Sequence, residues 1–242
     1  MNTKKVRTAV VLAGGAGLRL RPLTKDRPKP MIEILGKPIL QWVIEWLRNN
    51  GVSNIVLGVA YQKESVIDHF GDGSGFGVKI KYSVHSVDGE TGEGFRLAIR
   101  RHVNDDLFVA VNGDEITNFD LKSFVEHHNK YNPVATIAVA NPRCPFGVVD
   151  VDENGCVLSF IEKPLVPSFL VSVGVYLFNH RIVDYLPRKG PIEESTFPLL
   201  SKRKLLRAYL INGIWLTVNT MKDLKLAESF LKRRMEERTW SK

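Results

Sequence analysis

The chain has 242 residues, of which 44% are hydrophobic, and its net charge at pH 7 is +8. This size suits one large α/β domain or two small ones, and the absence of any run of about 18 apolar residues excludes a membrane-spanning helix. The two cysteines, Cys144 and Cys156, have neither metal-ligand nor redox-motif spacing, and too few are present for a disulfide framework, so we expect a cytoplasmic protein.

Apolar runs alternate with helical patterns through the first half of the chain. Strands are predicted at 6–13, 54–61, 78–85, 107–115 and 134–140, and helices at 38–51, 62–70, 94–103 and 120–131. Strands that are almost wholly apolar and alternate with helices are typical of a parallel sheet covered on both faces. The predicted fold class is therefore α/β, with a Rossmann-like, doubly wound, mostly parallel mixed sheet and helices on both faces.

The pattern changes after Pro142. A hairpin is predicted at 146–164 around the turn signal Asn154–Gly155, followed by strands at 169–179 and 207–215 and a closing helix at 220–238. No repeat or linker divides the chain. We therefore predict a single domain over 1–242, with a first half at about 1–142 and a second half, containing a small β insertion and the C-terminal helix, at about 143–242.

The positive charge is concentrated at the C-terminal end. Residues 202–242 hold eleven Lys and Arg against four Asp and Glu, which accounts for seven of the eight net charges. A run of this kind is typical of a solvated helix face, and a surface for an anionic partner is the alternative. Because the excess lies apart from the motifs described below, we do not expect a nucleic-acid partner.

The first predicted strand ends in Gly14, Gly15 and Gly17, and cations follow at Arg19 and Lys29. Glycines directly after a strand let the backbone approach a phosphate group closely. The cations lie on a proline-stiffened surface segment that can fold back over the same strand end and neutralise a polyphosphate. The segment is neither the dinucleotide-binding fingerprint nor the Walker phosphate loop, since it lacks the third glycine of the former and the Gly-Lys-Ser/Thr of the latter.

This segment resembles the signature of the sugar-1-phosphate nucleotidyltransferases, also called nucleotide-sugar pyrophosphorylases. Further segments match in the order of that family: "VNGDE" at 111–115, "FGVV" at 146–149, "FIEKP" at 160–164, "PIEESTFPLL" at 191–200 and "GIWLTVNTMKDL" at 213–224. The resemblance runs from residue 7 to about residue 228. It is to the short form of the family, without the C-terminal left-handed β-helix domain that some members carry.

The resemblance implies that a sugar 1-phosphate attacks the α-phosphorus of a nucleoside triphosphate, giving a nucleotide sugar and pyrophosphate. The nucleophile is already anionic, so catalysis depends on positioning and charge stabilisation. Arg19, Lys29 and Asp114 are the implied catalytic residues, and Asp114 is the implied ligand of Mg²⁺ or another divalent cation. The residues implied for nucleotide binding are Leu12, Ala13, Gly14, Gly15, Gly17, Arg19 and Lys29.

The second half of the chain is implied to bind the sugar phosphate. Glu162 suits sugar hydroxyls and Lys163 suits the phosphate, with Gly147 nearby in the matching segment. Without the resemblance, Glu162 and Lys163 would be interpreted as an ordinary surface ion pair. The stretch "DGETGEGFRL" at 88–97 falls near the base-side glycines of the family, but its match is too loose to indicate a nucleobase.

One departure from the pattern of the family bears on the metal site. Its members commonly read Trp-x-Asp-x-Gly-Thr near the end, and that Asp is the second metal ligand. Here residues 215–220 read Trp-Leu-Thr-Val-Asn-Thr, so Thr217 stands where the carboxylate is expected. The predicted metal site therefore has Asp114 and, beyond it, neutral oxygens.

Three alternatives remain open on the sequence. The chain could be a regulatory homologue that binds nucleotide sugar without making it, a nucleotidyltransferase for a non-sugar phosphate such as phosphocholine, or, least favoured, a nucleic-acid-binding protein. The first substrate pairs to consider are mannose 1-phosphate with GTP and glucose 1-phosphate with dTTP or UTP. No membrane partner is expected, and a homo-oligomer is possible.

Overall fold

A computed structural model describes residues 5–237, which contain thirteen strands and six α-helices. The strands are β1 (Thr8–Leu12), β2 (Glu33–Ile34), β3 (Lys37–Pro38), β4 (Asn54–Val59), β5 (Lys79–Val84), β6 (Leu107–Asn112), β7 (Glu115–Thr117), β8 (Ala135–Ala140), β9 (Gly147–Val151), β10 (Val157–Glu162), β11 (Val171–Asn179), β12 (Leu206–Leu210) and β13 (Trp215–Thr217). The helices are α1 (Ile39–Asn49), α2 (Lys63–Phe70), α3 (Glu90–His102), α4 (Leu121–Tyr131), α5 (Thr196–Lys202) and α6 (Met221–Glu236).

Seven strands form the central sheet in the order β12-β8-β11-β6-β1-β4-β5. Strands β6, β1, β4 and β5 run parallel to one another, and β12 runs parallel to β8. Strand β11 is antiparallel to both of its neighbours, β6 and β8. The predicted fold class, a mostly parallel mixed sheet of the doubly wound kind, is confirmed.

Helices cover both faces of this sheet because its central strands are apolar on both sides. Along β1, Val11 faces a core formed with α1, α2 and α4, whereas Val10 faces a core formed with α3 and α5. This alternation follows the two-residue period of a strand. Each fully buried Phe or Leu of these cores, such as Phe95 or Leu47, contributes about 1.5–3 kcal/mol through removal of apolar surface from water. None of the helices within the described range is long and apolar enough to cross a membrane.

Helix α6 packs over the segment that follows the glycine loop. Its residues Ala227 and Leu231 are buried against Leu20 and Ile32 in a third apolar cluster. A capping box between Thr220 and Asp223 starts the helix, because each residue's side chain accepts the other's backbone N–H. The apolar stripe of the C-terminal helix is thus buried within the domain, while Arg238 and Lys242 of the basic segment lie outside the described residues.

Helix α3 and the strand predicted at 207–215 differ from their predictions. Helix α3 begins at Glu90 rather than residue 94, and its glycines serve packing: a Cβ on Gly92 would lie 2.4 Å from the carbonyl oxygen of Gly190. The strand predicted at 207–215 is two strands, β12 in the main sheet and β13 paired with β7. Just before β13, the N–H of Ile214 donates to the side-chain oxygen of Asn118 at 2.7 Å.

The predicted hairpin is present as β9 and β10, with Gly155 in the turn at φ 80°. It forms a sheet of its own, and every residue of β10 is exposed. The side chains of Phe160 and Leu158 are 64% and 63% exposed, so the hairpin projects apolar surface from the domain. This is the small β insertion that the sequence predicts.

Candidate active site

The glycine loop, residues 13–17, lies at the carboxyl ends of the central parallel strands. The N–H of Ala13 donates to Gly58 at the end of β4, and the N–H of Gly113 donates to Leu12 at the end of β1. A Cβ on Gly14 would lie 2.7 Å from that of Ala60, so only glycine fits against the residue that follows β4. The carboxyl ends of parallel strands are where open α/β sheets bind ligands.

The loop turns back through Gly17, whose φ of 57° lies in the left-handed region that favours glycine. A Cβ at Gly17 would lie 2.8 Å from the Cβ of Lys29, so the loop and the Lys29 segment are packed together. The backbone N–H of Lys29 donates to Gly15 at 2.9 Å, and the Thr24 hydroxyl donates to Gly17 at 2.9 Å. The predicted folding of the cationic segment back over the strand ends is therefore observed.

Arg19 and Lys29 differ in their surroundings. Arg19 is exposed, in agreement with its predicted place on a surface segment. Lys29 is only 8% exposed, and the expectation that it also lies on the surface is wrong. Its stem packs on Gly17, and Lys29 lines a cavity together with Asp114 and Asn219.

Four polar side chains from distant parts of the chain meet in one cavity. The ammonium group of Lys29 donates to Asp114 at 2.6 Å and to the side-chain oxygen of Asn219 at 2.9 Å. The guanidinium group of Arg19 donates to the same Asn219 oxygen at 3.3 Å. These side chains, with residues 17–20, line a cavity of about 470 Å³. Lys29 and Asp114 are thus brought together with Arg19 as the sequence predicts.

The Asn219 carboxamide is held in one orientation. Its Nδ2 donates to the Thr217 hydroxyl at 3.1 Å, which turns its oxygen toward Lys29 and Arg19. The backbone N–H of Asn219 donates to Asp223 at 3.1 Å, so the start of α6 fixes its position. Thr217 itself lies opposite Glu115 in the β7–β13 pair.

Glu115 follows Asp114 but is directed elsewhere. Its carboxyl accepts a hydrogen bond from the indole Nε1 of Trp215 at 2.7 Å. Burial, together with the neighbouring Asp114 carboxylate, raises the pKa of Glu115 to about 8. Trp215 is only partly buried and packs against the same apolar cluster as Trp46, whereas Trp42 and Trp46 are buried.

The residues predicted to bind sugar phosphate lie together on the hairpin. Gly147 and Glu162 are directly paired across β9 and β10, and the Lys163 ammonium lies 3.5 Å from the Glu162 carboxylate. Lys163 has a φ of 48°, a left-handed conformation that non-glycine residues adopt at a cost of about 1–3 kcal/mol. No hydrogen bond or ion pair within residues 5–237 joins this group to Arg19, Lys29 or Asp114.

The cavity offers oxygen donors for a divalent cation. Within residues 5–237, no three His, Cys, Asp or Glu side chains form a group that could hold a metal ion. The carboxylate of Asp114 and the side-chain carboxamide oxygen of Asn219 nevertheless both contact one positive charge, the Lys29 ammonium. Both are hard oxygen ligands of the kind Mg²⁺ prefers, with phosphate oxygens and water completing its shell. The side chains therefore fit a cation that is carried in with phosphates.

The sequence left two residues near these strand ends unassigned. Asn219 stands at a position where the family pattern has glycine, and its contact with Lys29 spans 190 residues. The ring of His85 lies against the glycine loop: a Cβ on Gly14 would be 3.0 Å from its Nε2, which is buried and has no hydrogen-bond partner among the described residues. Its Nδ1 lies 2.9 Å from the carbonyl oxygen of Ser86.

Comparison with known proteins agrees with this geometry. The family model described as nucleotidyl transferase matches residues 8–234. A UTP–glucose-1-phosphate uridylyltransferase of Synechocystis sp. is 37% identical over 196 residues, covering 74% of this chain and 50% of its own length. The mannose-1-phosphate guanylyltransferase catalytic subunit beta of Drosophila melanogaster is 34% identical over 223 residues, covering 89% of this chain and 60% of its own length. The chain thus spans about half to three fifths of the length of these relatives.

A solved structure extends the agreement to the fold. HddC from Yersinia pseudotuberculosis, crystallised with GMP-PN, superposes with a TM-score of 0.73 and 25% sequence identity, covering 93% of this chain and 100% of that one. The family match includes the glycine loop, Lys29, Asp114 and the β13–α6 segment, which are the parts that build the cavity. The chain belongs to the nucleotidyl transferase family.

Proposed function

We propose that the chain transfers a nucleotidyl group from a nucleoside triphosphate to a sugar 1-phosphate, releasing pyrophosphate and forming a nucleotide sugar. The observation that carries this proposal is the meeting of Arg19, Lys29 and Asp114 beside a glycine loop at the carboxyl ends of parallel strands. Both relatives described above are named for reactions of a sugar 1-phosphate, and the HddC structure was obtained with GMP-PN.

The reaction needs two anions to be held close together. The sugar phosphate oxygen forms a bond to the α-phosphorus while the bond from that phosphorus to the bridging oxygen of the pyrophosphate breaks, and the leaving group carries away the electron pair. Arg19, exposed at the cavity mouth, would grip the triphosphate and the departing pyrophosphate. Lys29 would reach the α-phosphate and the incoming phosphate as a point charge. Leu12, Ala13 and the loop glycines would support the nucleotide through main-chain groups.

Asp114 would hold Mg²⁺ in this reaction, together with oxygens of the triphosphate. A bound Mg²⁺ neutralises charge on the phosphoryl oxygens. The Asp114 side chain is 25% exposed and lines the cavity, so it can exchange its contact with Lys29 for one with a cation. The cation requirement is tested by omitting Mg²⁺ from the assay.

The hairpin residues Gly147, Glu162 and Lys163 would bind the sugar phosphate. Glu162 accepts hydrogen bonds and Lys163 offers a cation for the phosphate. The left-handed backbone of Lys163 supports a positioned role, since such strain concentrates at ligand sites.

The decisive experiment is an assay of pyrophosphate release with Mg²⁺. GTP, dTTP and UTP are each tested with mannose 1-phosphate and glucose 1-phosphate, and phosphocholine is included as a non-sugar acceptor. Release with one sugar phosphate and one triphosphate supports the proposal. Release with phosphocholine alone would establish the non-sugar alternative.

A regulatory homologue is the second candidate, and Thr217 is the observation that favours it, since the second carboxylate is missing. Such a protein would bind a nucleotide sugar in calorimetry and release no pyrophosphate with any pair. Location in the cytoplasm and assembly into a homo-oligomer stay predictions. The exposed apolar hairpin supports self-association, which light scattering of the purified chain would test.

A further inference from the structure

We propose that the carboxamide oxygen of Asn219 is the second protein ligand of the divalent cation, in place of the carboxylate absent at Thr217. This inference rests on the proposed function only for the identity of the phosphates that accompany the cation. The pattern that the chain resembles has glycine at position 219, so the carboxamide is a feature of this chain.

The position of the Lys29 ammonium group is the main observation. It lies 2.6 Å from an Asp114 oxygen and 2.9 Å from the Asn219 oxygen. A single positive charge therefore already sits between two hard oxygen donors, one charged and one neutral. When a polyphosphate draws the Lys29 ammonium to itself, these two oxygens are left facing a space that has accommodated a cation.

Asn219 is prepared for this role by its own contacts. Its Nδ2 donates to Thr217 at 3.1 Å and its backbone N–H to Asp223 at 3.1 Å, so the oxygen faces the cavity before any ligand arrives. A ligand that is already oriented loses little conformational entropy when the cation binds. Thr217 then acts as a positioning residue, whose hydroxyl fixes the carboxamide instead of contacting the cation.

Glu115 is the competing donor, and its geometry is less suitable. Its carboxyl is held by the Trp215 indole at 2.7 Å, and the lining of the cavity includes Asp114 and Asn219 but not Glu115. Because the carboxamide is neutral where a carboxylate would be charged, the site should bind its cation weakly until phosphates are also bound. One carboxylate and one amide oxygen, opposed by Lys29 and Arg19, are a weak cation site on their own.

The test measures Mn²⁺ binding by electron paramagnetic resonance on purified, folded protein, without nucleotide and then with inorganic tripolyphosphate. Lys29→Met removes the ammonium group that occupies both oxygens and should bind Mn²⁺ more tightly than the wild type. Adding Asn219→Ala to Lys29→Met should weaken that binding by about 10-fold or more, the scale seen when a metal site loses a supporting group. Adding Asn219→Asp instead should tighten it.

The charge control is Asn49→Asp in the Lys29→Met background. Asn49 is exposed and lines a separate cavity with Lys5 and Arg7, so this variant should leave Mn²⁺ affinity unchanged. Thr217→Val, which frees the carboxamide to turn, should weaken Mn²⁺ binding only when Asn219 is present.

Two results would overturn the proposal. The first is that Lys29→Met binds Mn²⁺ equally tightly with and without Asn219→Ala. The second is that adding Glu115→Gln to Lys29→Met lowers the Mn²⁺ affinity as much as adding Asn219→Ala does. Thermal melts of each variant separate misfolding from loss of the ligand. Because Mn²⁺ binding is measured without turnover, a chain that transfers no nucleotide would still show whether Asn219 contacts the cation.

Discussion

The ammonium group of Lys29 lies 2.6 Å from a carboxylate oxygen of Asp114, although 85 residues separate the two in the chain. The glycine loop positions Lys29, because the backbone N–H of Lys29 donates to Gly15 and its Cβ packs on Gly17. The Lys29 side chain is 11% exposed and that of Asp114 is 25% exposed, so water screens the pair only partly. Such a pair is held by the fold and is also free to open when a phosphate competes for the lysine.

We predict that Lys29→Met lowers the turnover number far more than it lowers stability. Methionine keeps the packing on Gly17 and removes only the charge. Loss of one charge-stabilising donor from a catalytic site lowers turnover by about 100-fold to 1,000-fold. Pyrophosphate release measures the turnover, and a melt checks the fold. Turnover close to that of the wild type would show that Lys29 does not contact the reacting phosphates.

Arg19→Ala should reduce turnover with almost no change in stability. Arg19 is exposed and makes one long hydrogen bond, of 3.3 Å, to Asn219. Substitutions at such surface positions usually change the free energy of unfolding by less than about 0.5 kcal/mol. Urea denaturation and the turnover number are measured on the same preparation. Arg27→Ala is the matched control and should keep full turnover, since the Arg27 side chain is 44% exposed and its described ion pair is with its neighbour Asp26.

Glu162→Gln should raise the KM for the sugar phosphate and leave the KM for the triphosphate nearly unchanged. The carboxylate lies at the end of the hairpin, 63% exposed, and its described ion pair is with Lys163. Its loss therefore removes an acceptor for sugar hydroxyls without disturbing the glycine loop. Glu153→Gln, at the other end of the hairpin, should change neither constant. An equal rise in both KM values for Glu162→Gln would contradict a role specific to the sugar.

His128 should make stability depend on pH below neutrality. It lies on the buried face of α4, with its Nδ1 2.8 Å from the Thr136 hydroxyl. Burial is the main reason that its pKa is lowered from 6.5 to about 4, and nearby His127 and Arg181 add to the shift. The lowered pKa means that the folded state binds this proton more weakly than the unfolded state. The stabilisation is complete above about pH 6.5 and is lost as the pH falls through about 4.

The measurement is urea denaturation at pH 7 and pH 4. Relative to His128→Gln, the wild type should lose about 3 kcal/mol over this range, given about 1.36 kcal/mol per unit of pKa shift. His127→Gln is the control: His127 is only partly buried and adds a smaller part of the His128 shift than burial does, so this variant should lose nearly as much stability as the wild type. If the free energy of unfolding changed with pH equally in the wild type and in His128→Gln, His128 would titrate alike in the folded and unfolded states.

Much of the site could be predicted because its motifs are local. Gly14, Gly15 and Gly17 follow an apolar strand, and Asp114 follows another, so topology alone brings their strand ends together. The place of Lys29 could be predicted, but its burial could not, because it depends on the absence of a side chain at Gly17. Local chemistry also predicted the Asn154–Gly155 turn of the hairpin.

What could not be predicted depends on contacts between distant segments. The helix was predicted to begin at residue 94, yet α3 begins at Glu90, and its Gly92 and Gly94 allow close approach to Gly190 and Leu12. The role of the Asn219 carboxamide follows from its hydrogen bonds to Lys29, Arg19 and Thr217. No pattern in the sequence connects these residues. A departure from a family pattern was visible at Thr217, but its compensation two residues later required the folded chain.

Thr217→Asp should lower the concentration of Mg²⁺ that the reaction requires. Thr217 lies opposite Glu115 in the β7–β13 pair, and its hydroxyl accepts from Asn219 at 3.1 Å. An aspartate there can still accept from Asn219 and adds a negative charge near Asp114. A carboxylate within about 4 Å of a divalent cation strengthens its binding by a few kcal/mol at the effective dielectric of a protein surface. The Mg²⁺ concentration for half-maximal activity should therefore fall in Thr217→Asp, whereas Asp114→Asn should nearly abolish activity at any Mg²⁺ concentration.

Titration of Mg²⁺ in the pyrophosphate-release assay measures both, and Thr217→Asn, which adds no charge, is the control. An inactive wild type that becomes active as Thr217→Asp would instead identify the chain as a regulatory homologue whose catalytic site lost its second carboxylate.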